Sequence, residues 1–122
     1  MLIDSNIIIY AAKPDHVELR RFIARHAPAV SAVSFVEVLG YHKLEDSERL
    51  YFEEFFNAAL VLHISSTVLD QAIKLRQLRK MTLGDSLIAA TALVHHRTLV
   101  TCNTDDFKWI AGLLLLNPLK SP

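Results

Sequence analysis

Four short stretches of this 122-residue chain carry carboxylates that solubility alone does not explain. Asp4 directly follows the apolar residues Met1, Leu2 and Ile3, at the end of what should be a central strand. An isolated charge there costs several kcal/mol unless it is paired or bound to a cation. Glu37 follows Ser34 by three residues, and Asp85 opens an Ala/Leu-rich helix. Asn103, Thr104, Asp105 and Asp106 arrive together just past a β-branched run. Each has an ordinary explanation. Asp4 would cap the next helix, Ser34-x-x-Glu37 and Thr82-x-x-Asp85 have capping-box spacing, and Asx residues favour turns for local backbone reasons. None of these explains the shared position: each acid follows the C-terminal end of a strand or opens a helix at that edge. Converging carboxylates repel and raise one another's pKa, so a cation is expected among them. Oxygen donors with no Cys cluster and no clearly placed His select Mg²⁺ or Mn²⁺ over zinc. The chemistry such a centre supports is phosphoryl transfer to water.

The elements that must position these groups are legible in outline. The stretch from Gly84 to Phe107 reads as a helix buried on most sides, a strand at 98–101 and a polar loop. Before it come a strand at 1–3, a short helix at 7–12 capped by Ser5 or Asn6, and a helix at 17–26 opened by an Asp15/Glu18 box. A second strand at 29–33, a helix opened by Ser34, a helix capped by Asp46 or Ser47, a third strand at 60–64 and a long amphipathic helix from Ser66 follow. A helical turn at 108–111 and a strand at 113–116 close the chain. Strands alternating with helices imply right-handed crossovers and a parallel sheet covered on both faces. The expected fold is therefore a three-layer α/β/α sandwich of about five strands, one domain over residues 1–122.

Composition narrows the function classes. Thirteen basic and thirteen acidic residues give zero net charge, so nucleic-acid binding must rely on a local patch. Lys74, Arg76, Arg79 and Lys80 on the long helix, and Lys13, Arg20, Arg21 and Arg25 earlier, are eligible for phosphates or are simply a solvated surface. One cysteine, Cys102, excludes an intrachain disulfide and fits a reducing, cytoplasmic compartment. The start MLID has neither the basic nor the apolar region of a signal peptide, and the longest apolar run, at 113–116, is too short to span a bilayer. A mean hydropathy of +0.27 suits a buried sheet and a subunit interface. The Asp-x-Asp of aspartyl-phosphate phosphatases is absent, since Ser5 and Asn6 follow Asp4, and no Gly-rich phosphate loop exists.

The pieces LIDSNIIIY (2–10), SAVSFVEVLG (31–40), DSLIAATAL (85–93) and LVTCNTDDF (99–107) occur in the order found in PIN-domain ribonucleases. Over essentially its whole length the chain resembles the VapC-type toxins of toxin–antitoxin pairs. The resemblance implies that Asp4, Glu37 and Asp85 bind divalent metal, with Asp106 as fourth acid, Asn103 as a polar helper and Asp105 outside the set. Ser5 and Asn6 match the polar pair after the first acid, and Ser34 matches a hydroxyl lining the site. His95-His96-Arg97 stands where a Gly is common, a change that should affect only the turn. The resemblance further implies Mg²⁺-dependent cleavage of single-stranded RNA, a homodimer, and an antitoxin partner that inserts a segment across the groove. Phe52, Phe55 and Phe56 are core or part of that groove, and Trp109 with Phe107 is core packing or a base-stacking platform. Two alternatives stand beside this reading: a housekeeping PIN nuclease of RNA maturation, and a non-catalytic α/β interaction module whose acids only cap helices.

Overall fold

A computed structural model gives the structure of residues 1–119. Five strands form one parallel sheet: β1 (Leu2–Ile3), β2 (Ala29–Ser31), β3 (Val61–Leu62), β4 (Leu99–Val100) and β5 (Leu115–Leu116). Their order is β3-β2-β1-β4-β5. Helices α1 (Ser5–Ala11) and α2 (Val17–His26) connect β1 to β2, and α3 (Val33–Leu39) and α4 (Asp46–Ala58) connect β2 to β3. Helices α5 (Ser66–Leu78) and α6 (Leu83–Val94) lead back across the sheet to β4. This is the expected three-layer sandwich.

The pleat sorts the apolar residues onto two faces, because successive side chains in a strand point opposite ways. Leu2, Ala29 and Leu99 join the core beneath α5 and α6, with Val68, Leu75 and Ile88. Ile3, Val30 and Val100 join the core on the other side, with Ile7, Val38, Phe52 and Phe56. Helix α6 is buried without interruption from Ser86 to Ala92. It accommodates two hydroxyls there by returning them to its own carbonyls, Ser86 to Leu83 and Thr91 to Leu87, both at 2.7 Å. Among the described residues, no helix is long and apolar enough to cross a membrane.

Register sets the height at which the chain leaves the sheet. Ile3 pairs with both Val30 and Val100, so Asp4, Ser31 and Thr101 emerge at one level. The Asp4 N–H donates to the Val100 carbonyl at 2.9 Å, which pins Asp4 to the neighbouring strand.

Several element boundaries differ from the sequence reading. The strands are only two or three residues long, since helices begin almost at once beyond them. Helix α1 starts at Ser5, with Asp4 itself as its N-cap. Helix α2 spans the expected residues, but His16 precedes it without a side-chain bond, so the Asp15/Glu18 box does not form. Ser34 lies inside α3, after an Ala32 N-cap. The reciprocal capping box of α4 is made by Glu45 and Glu48, one residue earlier than expected. The turn after β4 is a 3₁₀ turn at Thr104–Asp106, ahead of the expected 108–111.

Candidate active site

The strand order reverses between β1 and β4: β2 and β3 lie on one side of β1, β4 and β5 on the other. In open α/β sheets the crevice outside the carboxyl ends of the strands at such a point receives ligands. Asp4 follows β1 and the Thr101–Asp106 segment follows β4, so both emerge there.

Asp4 is 4% exposed. One carboxylate oxygen, Oδ1, accepts from the Ser5 N–H at 2.8 Å, and the other, Oδ2, accepts from the Thr101 hydroxyl at 2.7 Å. The capping explanation is thus correct for one oxygen and silent on the other. Burial pushes the carboxyl up to about 6, partly offset by the Thr101 hydroxyl, and the nearby charge of Asp85 adds to the rise. Thr101 is itself positioned by accepting from the Asn103 N–H at 3.0 Å.

Glu37 projects from α3 toward the start of α6. Ser5 Oγ lies 2.8 Å from both Glu37 Oε1 and Ser34 Oγ. A hydroxyl has one proton to donate, so Ser5 donates to the carboxylate and accepts from Ser34. The Ser34/Glu37 spacing therefore does not close a capping box; it places both side chains around Ser5. A Cβ on Gly84 would stand 2.4 Å from Glu37 Oε2. Gly84 is the clearance that lets the Glu37 carboxylate lie against the first turn of α6.

Asp85 is half-buried on that same turn. Its N–H donates to the Thr82 hydroxyl at 3.1 Å, and the return bond that would complete a capping box is absent. Burial raises its carboxyl most, and the charges of Asp106 and Glu37 raise it further. Asp106 is thus the acid of the 104–106 turn that Asp85 senses. Asp105 pairs instead with Lys108 at 3.0 Å on the exposed rim. Asn6 and Asn103 are half-buried beside Ser5 and Thr101, respectively.

The acids share one edge and influence one another electrostatically, but they are not drawn into a closed ligand set. Among the described residues, no group of three or more His, Cys, Asp and Glu side chains stands ready to hold a metal ion. The donor chemistry nonetheless fits a hard cation. Asp4, Glu37, Asp85 and Asp106 are all oxygen donors, and the ion pairs among described residues, Arg49–Asp46 and Lys108–Asp105, involve none of them. Burial and the charge of Asp4 push the Cys102 thiol up, so no thiolate competes.

A cleft of about 250 Å³ opens beside Asp85 and Asp106, walled by Arg79, Lys80 and Trp109. Arg76 is not among the lining residues and donates to the Met81 carbonyl at 3.3 Å. Arg20 closes the end of α1 by donating to the Ala11 and Lys13 carbonyls at 2.8 and 2.6 Å. Phe52 and Phe56 are core residues, and Phe55 packs partly buried beside them.

Two positions escape the sequence reading. Thr101 orients Asp4 across 97 residues of chain. Its signal is a hydroxyl ending a strand beside the strand that carries a buried acid. Gly84 is the only glycine within a helix rich in Ala and Leu, and a helical glycine without a local reason invites a packing one.

A parallel sheet with acids gathered outside its carboxyl ends at the point of reversal defines an α/β protein with an acidic ligand crevice. Within that class the chain belongs to the PIN domain family, whose family model matches residues 1–113. Among solved structures it is similar to a toxin–antitoxin complex from Klebsiella pneumoniae, at 26% identity over 98% of each chain, with a TM-score of 0.77. It is also similar to VapBC2 from Rickettsia felis bound to a promoter DNA fragment, at 23% identity over 95% of this chain and 96% of that one (TM-score 0.78). DNA-bound VapBC from Salmonella typhimurium shares 19% identity over 96% of each chain, with a TM-score of 0.84. The last two likenesses carry the fold alone. Comparison with curated protein sequences returns no match.

Proposed function

We propose that this protein is a metal-dependent endoribonuclease that cleaves single-stranded RNA, leaving 5′-phosphate and 3′-hydroxyl ends, and is the toxin half of a toxin–antitoxin pair. The observation that carries the reading is that Asp4, Glu37, Asp85 and Asp106, from four separate elements, lie at one edge close enough that their charges raise the Asp4 and Asp85 carboxyls, where among the described residues no cationic side chain pairs with them. Membership of the PIN domain family supports it. The similarity to a toxin–antitoxin complex at 26% identity over nearly the whole chain favours a toxin over a nuclease of RNA maturation.

In this reading, Asp4, Glu37, Asp85 and Asp106 hold Mg²⁺, with Mn²⁺ able to substitute. An ion held there would supply charge neutralisation at the scissile phosphate and a lowered pKa for a water molecule. Asp4 is the fixed member, because Ser5 and Thr101 hold both of its oxygens. Asp106 is exposed, which leaves its rotamer open. Ser5, backed by Ser34, aims the Glu37 carboxylate. Asn6 and Asn103 supply polar surface beside the acids, and Asp105 stays outside the set. One of the acids doubles as general base toward the attacking water. Residues 1–122 act as one nuclease domain, paired as a homodimer and silenced by a cognate antitoxin laid across the acidic groove.

Asp4→Asn and Asp85→Asn proteins tested on single-stranded RNA with Mg²⁺ should keep wild-type circular dichroism and lose cleavage by at least about a thousandfold, a loss on the order of 4 kcal/mol in transition-state stabilisation. Wild-type rates from Asp85→Asn would overturn the assignment. Growth arrest on expression, relieved by the product of an adjacent reading frame, tests the toxin role.

A further inference from the structure

The cleft beside Asp85 has two walls of opposite charge. Asp85, Asp105 and Asp106 form one, with Asp105 paired to Lys108; Arg79 and Lys80, on the link between α5 and α6, form the other. Arg79 lies over the Trp109 ring, its guanidinium carbon 5.5 Å from the ring centroid. The Trp109 indole N–H donates at 3.0 Å to the carbonyl of Asp106. Arg79, Trp109 and Asp106 are therefore linked in space, although the cation and the acid belong to different segments. No ion pair joins Arg79 or Lys80 to Asp85 or Asp106 among the described residues. A guanidinium that uses its face on an aromatic ring keeps its N–H edge for a planar or tetrahedral oxyanion. Such a group, set beside acids that would hold a cation at the reacting phosphate, is placed for a neighbouring phosphate of the same strand.

We infer that this cleft is a subsite for a phosphate adjacent to the scissile one in single-stranded RNA, gripped by Arg79 with Lys80 in support. The inference rests on the nuclease reading for the position of the cut, but not for the binding itself. It makes Arg79 a substrate-binding residue. It also makes the cleft the place where the acidic edge, which repels RNA, is offset by local positive charge.

Trp109 is the only tryptophan in the chain, so its emission reports on this cleft. The test titrates a short oligouridylate into the full-length protein in EDTA and follows that emission over a range of salt concentrations. The wild type should show a saturable change whose affinity falls with salt. Arg79→Gln should bind about tenfold more weakly, with the slope of log K against log salt shallower by about 0.7, one single-strand phosphate contact. Arg79→Lys should recover the slope but not the full affinity, because it keeps the charge and loses the fork. In Mg²⁺, Arg79→Gln should raise KM about tenfold with kcat near wild type. Arg79 is exposed, so the variant is expected to fold, and circular dichroism checks it. Unchanged Trp109 emission, or Arg79→Gln binding with wild-type affinity and slope, overturns the subsite. If no RNA is cut under any condition but the titration behaves as described, the nuclease reading fails and the subsite stands. If RNA is cut and Arg79→Gln matches the wild type, the reverse holds.

Discussion

Asp4 is the residue on which stability and function oppose each other. Its carboxyl is pushed from 3.8 to about 6, chiefly by burial, so the folded chain holds that proton more tightly than the unfolded chain. The stabilisation from the neutral form is therefore complete below about pH 4 and is lost as pH rises through about 6. Two units correspond to roughly 3 kcal/mol as an upper figure. Metal-free wild type should thus lose stability, relative to Asp4→Asn, as pH rises from about 4 to neutral. Urea denaturation of both proteins in EDTA measures that difference, and parallel stabilities across the range would refute it. With metal present the sign reverses, because the ion needs the carboxylate that the proton removes; cleavage by the wild type should fall below about pH 6. Gly84 makes a complementary case. Gly84→Ala would place a Cβ 2.4 Å from Glu37 Oε2. The displaced group is the tip of an exposed side chain, and alanine favours the helix by up to about 1 kcal/mol. The melting temperature should hold or rise while cleavage drops about tenfold or more. That Asp4, Glu37 and Asp85 share one edge was legible in the sequence, because each follows a strand end or opens a helix there, although singly each had an ordinary capping explanation. Thr101 and Gly84 were not, because their roles are contacts across long separations that no local spacing records.

At the scale of elements, α6 and the turn behind it illustrate how local rules give way to tertiary ones. The helix ends at Val94, and His96 takes φ +53°, the left-handed region that costs an L-residue about 1–2 kcal/mol. The sequence reading placed a turn there and noted that a glycine was missing; the backbone has kept the glycine's conformation. His96→Gly should therefore stabilise the protein by about 0.5–1 kcal/mol after the entropy lost by the flexible glycine is counted. Thermal or urea unfolding checks this, and a lower midpoint would contradict it. Helix existence was legible throughout from apolar periodicity and breakers, whereas starts were misjudged at α1, α3 and α4. Sequence rules assign a cap to the nearest Ser, Asp or Asn. At α1 the cap is Asp4, as its ordinary explanation had it, and not Ser5 or Asn6, and at α3 Ser34 turns inward to Ser5 instead of capping.

At the scale of the whole molecule, the three-layer class was legible from alternating strands and helices, but the strand order was not, because nothing local in a short apolar run names its neighbour. That order matters, since the reversal between β1 and β4 brings Asp4 beside the turn that carries Asp106. The surface also leaves apolar side chains outward: Leu69 and Ile73, one turn apart on α5, are 46% and 55% exposed. Exposed apolar pairs of this kind suit a subunit interface. In the proposed homodimer, Ile73→Asp should shift sedimentation from dimer to monomer, whereas a wild type that is monomeric at all concentrations would exclude the dimer. Binding of a hard cation by the acids at the sheet's point of reversal underlies the whole of the proposed function. Its most direct test is thermal unfolding of wild type and Asp85→Asn across a Mn²⁺ titration. The wild-type melting temperature should climb by several degrees and saturate, while Asp85→Asn stays nearly flat. No metal-dependent rise in the wild type, or an equal rise in both proteins, would contradict it.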